Sequence, residues 1–292
     1  MTDRARIETL MRRATYASVA VACTLILAKA AVWFQSQSMA ILASLVDSTL
    51  DGAASLINLL ALRLALTPAD REHRFGHGKA EAMAGLAQSA VIAGSALFLL
   101  LEGARGLADP TPVADAHAGM FVSVLAIVLS AGLVLYQRHV VRLSGSLVVA
   151  ADRLHYLSDL LLNAGVILAL FLAQYLDWIW ADPLFGVAVA IYILFGAWNI
   201  GRQSFDHLMD RELSDETRAR IMEIAARQPG VIDIHDLRTR ESGMRQFIQF
   251  HLLLDGRLPL VEAHAIAVAV HRALQQEFPD ADIIIHQDPS QT

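Results

Sequence analysis

Six apolar segments constrain the fold of this 292-residue chain more than any other feature of its sequence. A helix needs about 20 apolar residues to cross the ~30 Å hydrocarbon core of a bilayer, and each segment is near or above that length. With 55% of its residues hydrophobic and only 18% charged, the chain is too apolar for an ordinary soluble enzyme. We therefore predict a multi-pass membrane protein, an all-α bundle of six transmembrane helices at approximately 14–34, 39–66, 82–105, 119–138, 147–174 and 183–206.

The positive charges between the segments predict the orientation of this bundle. Arg105 is the only strong cation in the first, third and fifth connections and their flanks. The ten cations on the other side are Arg4, Arg6, Arg12, Arg13, Arg63, Arg71, Arg74, Lys79, Arg138 and Arg142. Because cytoplasmic loops carry an excess of Lys and Arg, both termini are predicted to lie in the cytoplasm.

After about residue 209 the composition changes to that of a small soluble domain. A helical pattern stops at Pro229-Gly230, two strand patterns meet at Ser242-Gly243, and a second amphipathic helix and a third strand follow. The order α-β-β-α-β predicts a cytoplasmic α+β domain at 209–292, after a transmembrane domain at 1–208. The net charge of −6 does not indicate a basic surface that would bind nucleic acid. The single cysteine, Cys23, excludes an intrachain disulfide.

Two pairs of ionisable residues lie inside the apolar segments. Asp47 and Asp51 in the second segment, and His155 and Asp159 in the fifth, are each four residues apart and so share one face of a helix. Each buried Asp costs about 2.5–3.5 kcal/mol on insertion scales, so an ion or proton site is expected, and such ligands suit zinc or a similar first-row metal. The alternative is that they hydrogen-bond between helices or reach the interfaces. Lys29 is predicted to reach the membrane interface on its long stem.

The connection between the second and third segments, TPADREHRFGHGKAEA, holds Asp70, His73 and His77. A flexible loop with one carboxylate and two imidazoles can wrap a metal ion, and Gly76 and Gly78 relieve backbone strain. A solvated loop with incidental histidines stays open as the alternative.

The C-terminal domain holds a third group of candidate ligands. Alternation along the strands places His235 and His251 opposite the buried residues, and His286 and Asp288 share one face of the last strand. His264, near a helix start, is within reach of them. The pattern predicts a metal cluster on the face of the sheet that the core does not use. Because surface histidines are common, a group without metal stays open as the alternative.

The whole pattern resembles the cation diffusion facilitator family. The resemblance rests on the six segments, the DxxxD and HxxxD pairs, and the RFGHGKAE, HDLRTR, FIQFHL and IIHQDP stretches, and it covers essentially the whole chain. It implies a metallochaperone-like C-terminal domain and a location in the bacterial inner (cytoplasmic) membrane. It also implies a homodimer, formed through that domain and through contacts at the membrane surface.

The resemblance also divides the candidate ligands into sets. It implies an ion pair of Lys79 with Asp210 near the membrane surface of the dimer, and a hydrophobic gate at Leu154. The implied metal sites are a transport site of Asp47, Asp51, His155 and Asp159, a loop site of Asp70, His73 and His77, and a cytoplasmic site with one ion on His235, His251 and Asp288 and another on His264, His286 and the shared Asp288.

We predict a proton-coupled antiporter that exports divalent transition-metal ions from the cytoplasm. Zn²⁺ is the expected substrate and the expected structural ion, Fe²⁺ and Cd²⁺ are further candidate substrates, and H⁺ is the coupling ion. Metal and protons compete because metal needs ionised carboxylates and a neutral imidazole. Two alternatives stay open: an intramembrane metalloenzyme, although no HExxH sequence occurs, and a passive cation channel, which would line its pore with rings of acids or carbonyls.

Overall fold

The computed structural model describes residues 3–37, 39–108, 120–176, 178 and 180–290. Its first part consists of six long helices: α1 (Asp3–Ser36), α2 (Met39–Ala65), α3 (Lys79–Ala108), α4 (Met120–Ser144), α5 (Leu147–Leu176) and α6 (Ala181–Leu208). Within the described residues, five of them, α1 to α4 and α6, are long and apolar enough to cross a membrane. The remaining helix, α5, carries Asp152, Arg153 and Asp159 among its apolar residues. The predicted helical membrane region is confirmed.

By its internal contacts the chain divides into two compact units. The first unit comprises Met1–Pro68 and Ala80–Phe205, and the second comprises Ala69–Lys79 and Asp206–Thr292. The short connection between α2 and α3 therefore groups with the C-terminal region. The domain boundary after residue 208 stays a prediction.

In the first unit, small residues allow close packing of the helices. A cluster of buried residues from α3, α5 and α6 surrounds Leu154, which is 4% exposed. A Cβ atom on Gly196 of α6 would lie 2.9 Å from Leu154 Cδ1, so a larger residue there would displace this leucine. The glycine therefore lets α6 approach α5 at the level of the predicted gate.

The second unit contains the predicted α-β-β-α-β order. Its elements are α7 (Asp215–Ala226), β1 (Asp233–Ser242), β2 (Arg245–Leu254), α8 (Leu260–Glu277) and β3 (Asp282–Pro289). The side chain of Ser214 caps α7 by accepting from the backbone N–H of Thr217. Gly243 turns the β1–β2 hairpin with a positive φ of 59°. The predicted α+β fold is confirmed.

The three strands form one sheet in the order β1-β2-β3, with β1 antiparallel and β3 parallel to β2. One face of β2 is buried against the two helices through Ile248, Phe250, Leu252 and Leu254, as its alternation predicts. On the other face the register pairs His235 with His251 and His251 with His286. One histidine from each strand therefore lies in a single row across the sheet.

Candidate metal centres

The first candidate centre joins α2 and α5. Ligand atoms of Asp51, His155 and Asp159 all lie within 4.8 Å of one another. His155 Nε2 is 3.0 Å from Asp51 Oδ1 and 3.8 Å from Asp159 Oδ2. This nitrogen is buried and, within the described residues, makes no hydrogen bond of good geometry. An imidazole nitrogen that faces two carboxylates needs a proton or a cation between them, so the donor set fits a divalent metal.

Asp47 lies outside this close group but beside it. Its side chain lines a cavity of about 450 Å³ together with Asp51, His155 and Asp159. The three carboxylates also line a second cavity of about 190 Å³, on the side of α1 and α4. The three acids therefore line two cavities inside the first unit, and Asp47 shares both of them with Asp51 and Asp159.

Lys29 reaches from α1 to α2, and its predicted position at the membrane interface stays a prediction. Its ammonium group donates to the backbone oxygen of Ser44 at 3.1 Å and to Ser48 Oγ at 2.5 Å, both on α2. The same side chain lines the 190 Å³ cavity together with the three carboxylates. A stem length that permits snorkelling also permits a turn inward, and the sequence alone does not separate the two.

Sequence reasoning missed Asp152, which is 1% exposed inside the bundle. Its Oδ2 atom accepts hydrogen bonds from Ser18 and, at 2.6 Å, from Gln137 Nε2. Its Oδ1 atom accepts from Asn58 Nδ2 at 3.2 Å and from Ser55 Oγ at 3.4 Å. A carboxylate three residues before His155 in an apolar run was the signal that could have revealed it.

The loop residues come together as predicted. Ligand atoms of Asp70, His73 and His77 lie within 4.8 Å of one another, and Asp70 Oδ2 is 3.3 Å from His77 Nε2. Asp70 Oδ1 accepts the backbone N–H groups of His73 and Glu72, which holds the pKa of this carboxyl below its usual range. Gly76 has a φ of 83°, so the strain relief expected of it is present.

Gly78 ends the loop in a position that only glycine fits. A Cβ atom there would collide with the backbone oxygen of Ser242 and the backbone nitrogen of Gly243, at the tip of the hairpin. Within the same unit, the ring of Phe75 lies edge-on to Phe247 with centroids 5.7 Å apart. The loop is therefore held against the sheet at Phe75, between two of its ligands, and at Gly78, directly after the last one.

In the cytoplasmic cluster Asp288 lies among three imidazoles. Its Oδ2 atom is 2.8 Å from His251 Nδ1 and 3.2 Å from His235 Nε2, and its Oδ1 atom is 3.1 Å from His286 Nε2. The hydrogen bond with His251 and the neighbouring imidazoles hold the pKa of Asp288 below its usual range. An ionised carboxylate with each oxygen beside a different imidazole can bridge two metal ions.

The structure groups only part of the predicted binuclear site. Ligand atoms of His235, His251 and Asp288 lie within 4.8 Å of one another, one ligand from each strand. His286 lies next to them, with its ring centroid 4.6 Å from that of His251. His264 is exposed on α8 and lies outside the group.

The predicted ion pair also forms within the second unit. Lys79 Nζ is 2.9 Å from Asp210 Oδ1. Arg240 Nη1 approaches the same oxygen at 3.3 Å and stacks over the ring of Phe247. Asp210 therefore joins Lys79, the first residue of α3, to Arg240 of β1, in a partly exposed position where such pairs contribute modestly.

Apolar helices that hold three acids and an imidazole between two cavities define a membrane protein that handles cations. The chain belongs to the cation efflux family, known as the cation diffusion facilitators. Residues 15–209 match the profile described as the cation efflux transmembrane domain, and residues 213–290 match the cytoplasmic domain of cation efflux proteins. The protein is thus a multi-pass cation-efflux transporter and not an enzyme, as the sequence predicts.

Curated relatives are similar in sequence to this chain over nearly its whole length. The cation-efflux pump FieF of Shewanella oneidensis is 51% identical over 291 residues, covering 100% of this chain and 98% of the relative. FieF of Escherichia coli O127:H6 is 49% identical over 280 residues, covering 96% of this chain and 93% of the relative. A solved structure of CzrB in its zinc form is 38% identical over 28% of this chain and 94% of that chain, with a TM-score of 0.26.

Proposed function

We propose that the protein exports divalent transition-metal ions, Zn²⁺ above all, from the cytoplasm in exchange for protons. The observation that carries the proposal is the buried His155 Nε2 atom, 3.0 Å from Asp51 and 3.8 Å from Asp159. A metal ion needs both acids ionised and the imidazole neutral, so protons and metal exclude each other from this space. Asp47 is the proposed fourth ligand.

The exchange of metal for protons follows from their competition for the same ligands. Metal that binds from the cytoplasm releases protons, and protons that enter from the opposite side displace the metal. Alternating access requires the helices to rock about a site that stays fixed near the middle of the bundle. The two cavities support such a passage, because both are lined by the same three carboxylates.

The ligand types favour zinc. An imidazole with carboxylates suits Zn²⁺, which accepts four ligands in a tetrahedron and binds both nitrogen and oxygen. Fe²⁺ accepts similar ligands, and Cd²⁺ is the other proposed substrate. Uptake measurements with each ion at equal concentration would rank them.

The proposal predicts that Asp159→Asn or Asp51→Asn abolishes metal-driven proton movement. Each amide keeps the size of the side chain but cannot ionise. It therefore supplies neither the negative charge that binds the metal nor the proton that is exchanged for it. The measurement is the internal pH of proteoliposomes, followed with an entrapped dye after external Zn²⁺ is added. Asp182→Asn is the matched control, since it removes an acid from the start of α6 outside the ligand group. Exchange at the wild-type rate in Asp159→Asn would refute the proposal.

The same assay separates antiport from a passive channel. An antiporter accelerates Zn²⁺ movement when a pH difference of the right sign is imposed, and it moves protons when Zn²⁺ is added. Zn²⁺ flux that neither depends on nor produces a pH difference would favour the channel. Acidification on the side to which the site opens should release bound metal, because protonated carboxylates and imidazole do not ligate it.

The remaining sites and the assembly belong to the same proposal. The donor set of His235, His251 and Asp288 fits a structural Zn²⁺, which would join the three strands when bound. The loop ligands Asp70, His73 and His77 are proposed to hold a further ion. A second cytoplasmic ion on His264 and His286 would require His264 to move toward Asp288. We also propose a homodimer in the bacterial inner membrane, both termini in the cytoplasm, and a transmembrane domain that ends at residue 208.

A further inference from the structure

Lys29 places a positive charge inside the bundle, beside the proposed transport site. Its ammonium nitrogen is fixed on α2 by the backbone oxygen of Ser44 and by Ser48 Oγ, at 3.1 and 2.5 Å. Ser48 is itself buried, with 5% of its surface exposed. An ammonium group offers three protons and no acceptor, and these two oxygens accept two of the protons.

The ammonium shares its cavity with the acids of the site. Lys29 lines the 190 Å³ cavity together with Asp47, Asp51 and Asp159. Within the described residues, its hydrogen bonds go to serine oxygens and not to these acids. The carboxylate oxygens therefore stay available to a cargo ion, while the positive charge remains in their field.

The charges of this group favour a particular cargo. Three ionised carboxylates, a neutral imidazole and one ammonium carry two negative charges together. A dication makes the loaded site neutral, whereas a monocation leaves it negative. Because net charge is costly in a low-dielectric interior, the neutral loaded site is the form that crosses between access states most easily.

We propose that Lys29 is a fixed counter-charge of the transport site, which selects a doubly charged cargo and weakens its binding enough to permit release. This inference rests on the proposed function, since it concerns the same site. In this proposal Lys29 acts through its positive charge and does not bind the metal ion itself.

The test compares variants that change charge with variants that keep it. Lys29→Met removes the charge on a stem of similar length, Lys29→Arg keeps it, and Arg13→Met removes a charge from an exposed position on the same helix. Zinc is titrated into the detergent-solubilised full-length protein, and the sites that Asp159→Asn eliminates are taken as the transport site. We expect Lys29→Met to bind zinc at least about tenfold more tightly there, because a repulsion between like charges is gone.

The direction of the change in zinc affinity distinguishes the loss of a charge from damage to the structure of the site. Damage to the site would weaken binding, whereas loss of a counter-charge tightens it and slows zinc release in proteoliposomes. Lys29→Arg and Arg13→Met should stay within about threefold of the wild-type affinity, given the modest effect of charge at exposed positions. Unchanged or weaker zinc binding in Lys29→Met would overturn the counter-charge.

A second comparison applies if Lys29→Met does not fold. Lys29→Cys is made in a Cys23→Ala background, so that the new thiol is the single cysteine of the chain. Methanethiosulfonate reagents then attach either an ethylammonium or a neutral ethyl group at this position. Tighter zinc binding in the neutral form supports the proposal, and equal affinities refute it. Wild-type protein that does not exchange zinc for protons would instead refute the proposed function.

Discussion

Asp152 ties α5 to three other helices through a single carboxylate. Its partners are Ser18 on α1, Ser55 and Asn58 on α2, and Gln137 on α4. Tyr156, one turn further along α5, adds a hydrogen bond to the backbone oxygen of Ser18 at 3.0 Å. A carboxylate that is 1% exposed is tolerated because each oxygen has donors.

We expect Asp152→Leu to destabilise the bundle without removing the metal ligands. Each buried donor left without an acceptor costs about 1–3 kcal/mol, and several lose their partner at once. Thermal unfolding in detergent should therefore occur at a clearly lower temperature than in the wild type, while Asp159→Asn serves as the control that removes a ligand. An unchanged unfolding temperature would contradict the structural role of this network.

The sequence could not predict the surroundings of Lys29 and Asp152, and there is a physical reason at each residue. The sequence could identify Asp51, His155 and Asp159 because helical spacing fixes which side chains share a face. It could not decide the direction of Lys29, whose four-carbon stem reaches either the interface or the bundle. Asp152 adjoins Arg153 near the start of an apolar run, where a solvated pair at a helix end is the ordinary expectation.

At the scale of the elements, one face of β2 packs in the core and the opposite face carries a candidate metal ligand. Phe250 is 1% exposed and packs in the core with residues of α7 and α8, whereas His251 points to the opposite face beside Asp288. Alternation along the strand predicted this division, because neighbouring side chains point to opposite sides.

Phe250→Ala should therefore affect the stability of the sheet, and His251→Ala should affect its zinc binding. Loss of a buried Phe costs about 3–5 kcal/mol, so Phe250→Ala is expected to reduce hydrogen-exchange protection throughout the sheet. His251→Ala should leave that protection largely intact in metal-free protein but lower the amount of zinc bound after loading. Equal protection in the two variants would show that the core assignment of β2 is wrong.

The register of the sheet could not be predicted as readily as its faces. The sequence does not fix which residues lie opposite each other, because a bulge interrupts the β1–β2 pairing between His235 and Arg238. Asp236 in that bulge has a φ of 49°, a conformation that few residues other than glycine adopt. The parallel pairing of β3 depends on how α8 crosses the sheet, which local patterns do not determine.

At the scale of the whole molecule, the proposed transport ligands and the proposed zinc cluster lie in different units. Asp288→Ala should lower the zinc content per chain, because this carboxylate adjoins all three imidazoles of the cluster. We also expect a weaker dimer, measured by the mass of the detergent-solubilised protein over a dilution series. Proton exchange by the ligands of α2 and α5 should persist. Unaltered zinc content would count against the assignment of this cluster.

A metal ion bound to the ligands in the row across the sheet would make the order of the last strand depend on metal supply. His235, His251 and Asp288 come from β1, β2 and β3, so an ion bound to them would act as a clasp over both strand pairings. Without such an ion, the outer strands would be held only by backbone pairing and by their contacts with the core. The amount of zinc in the cell would then be read as the stiffness of a three-stranded sheet.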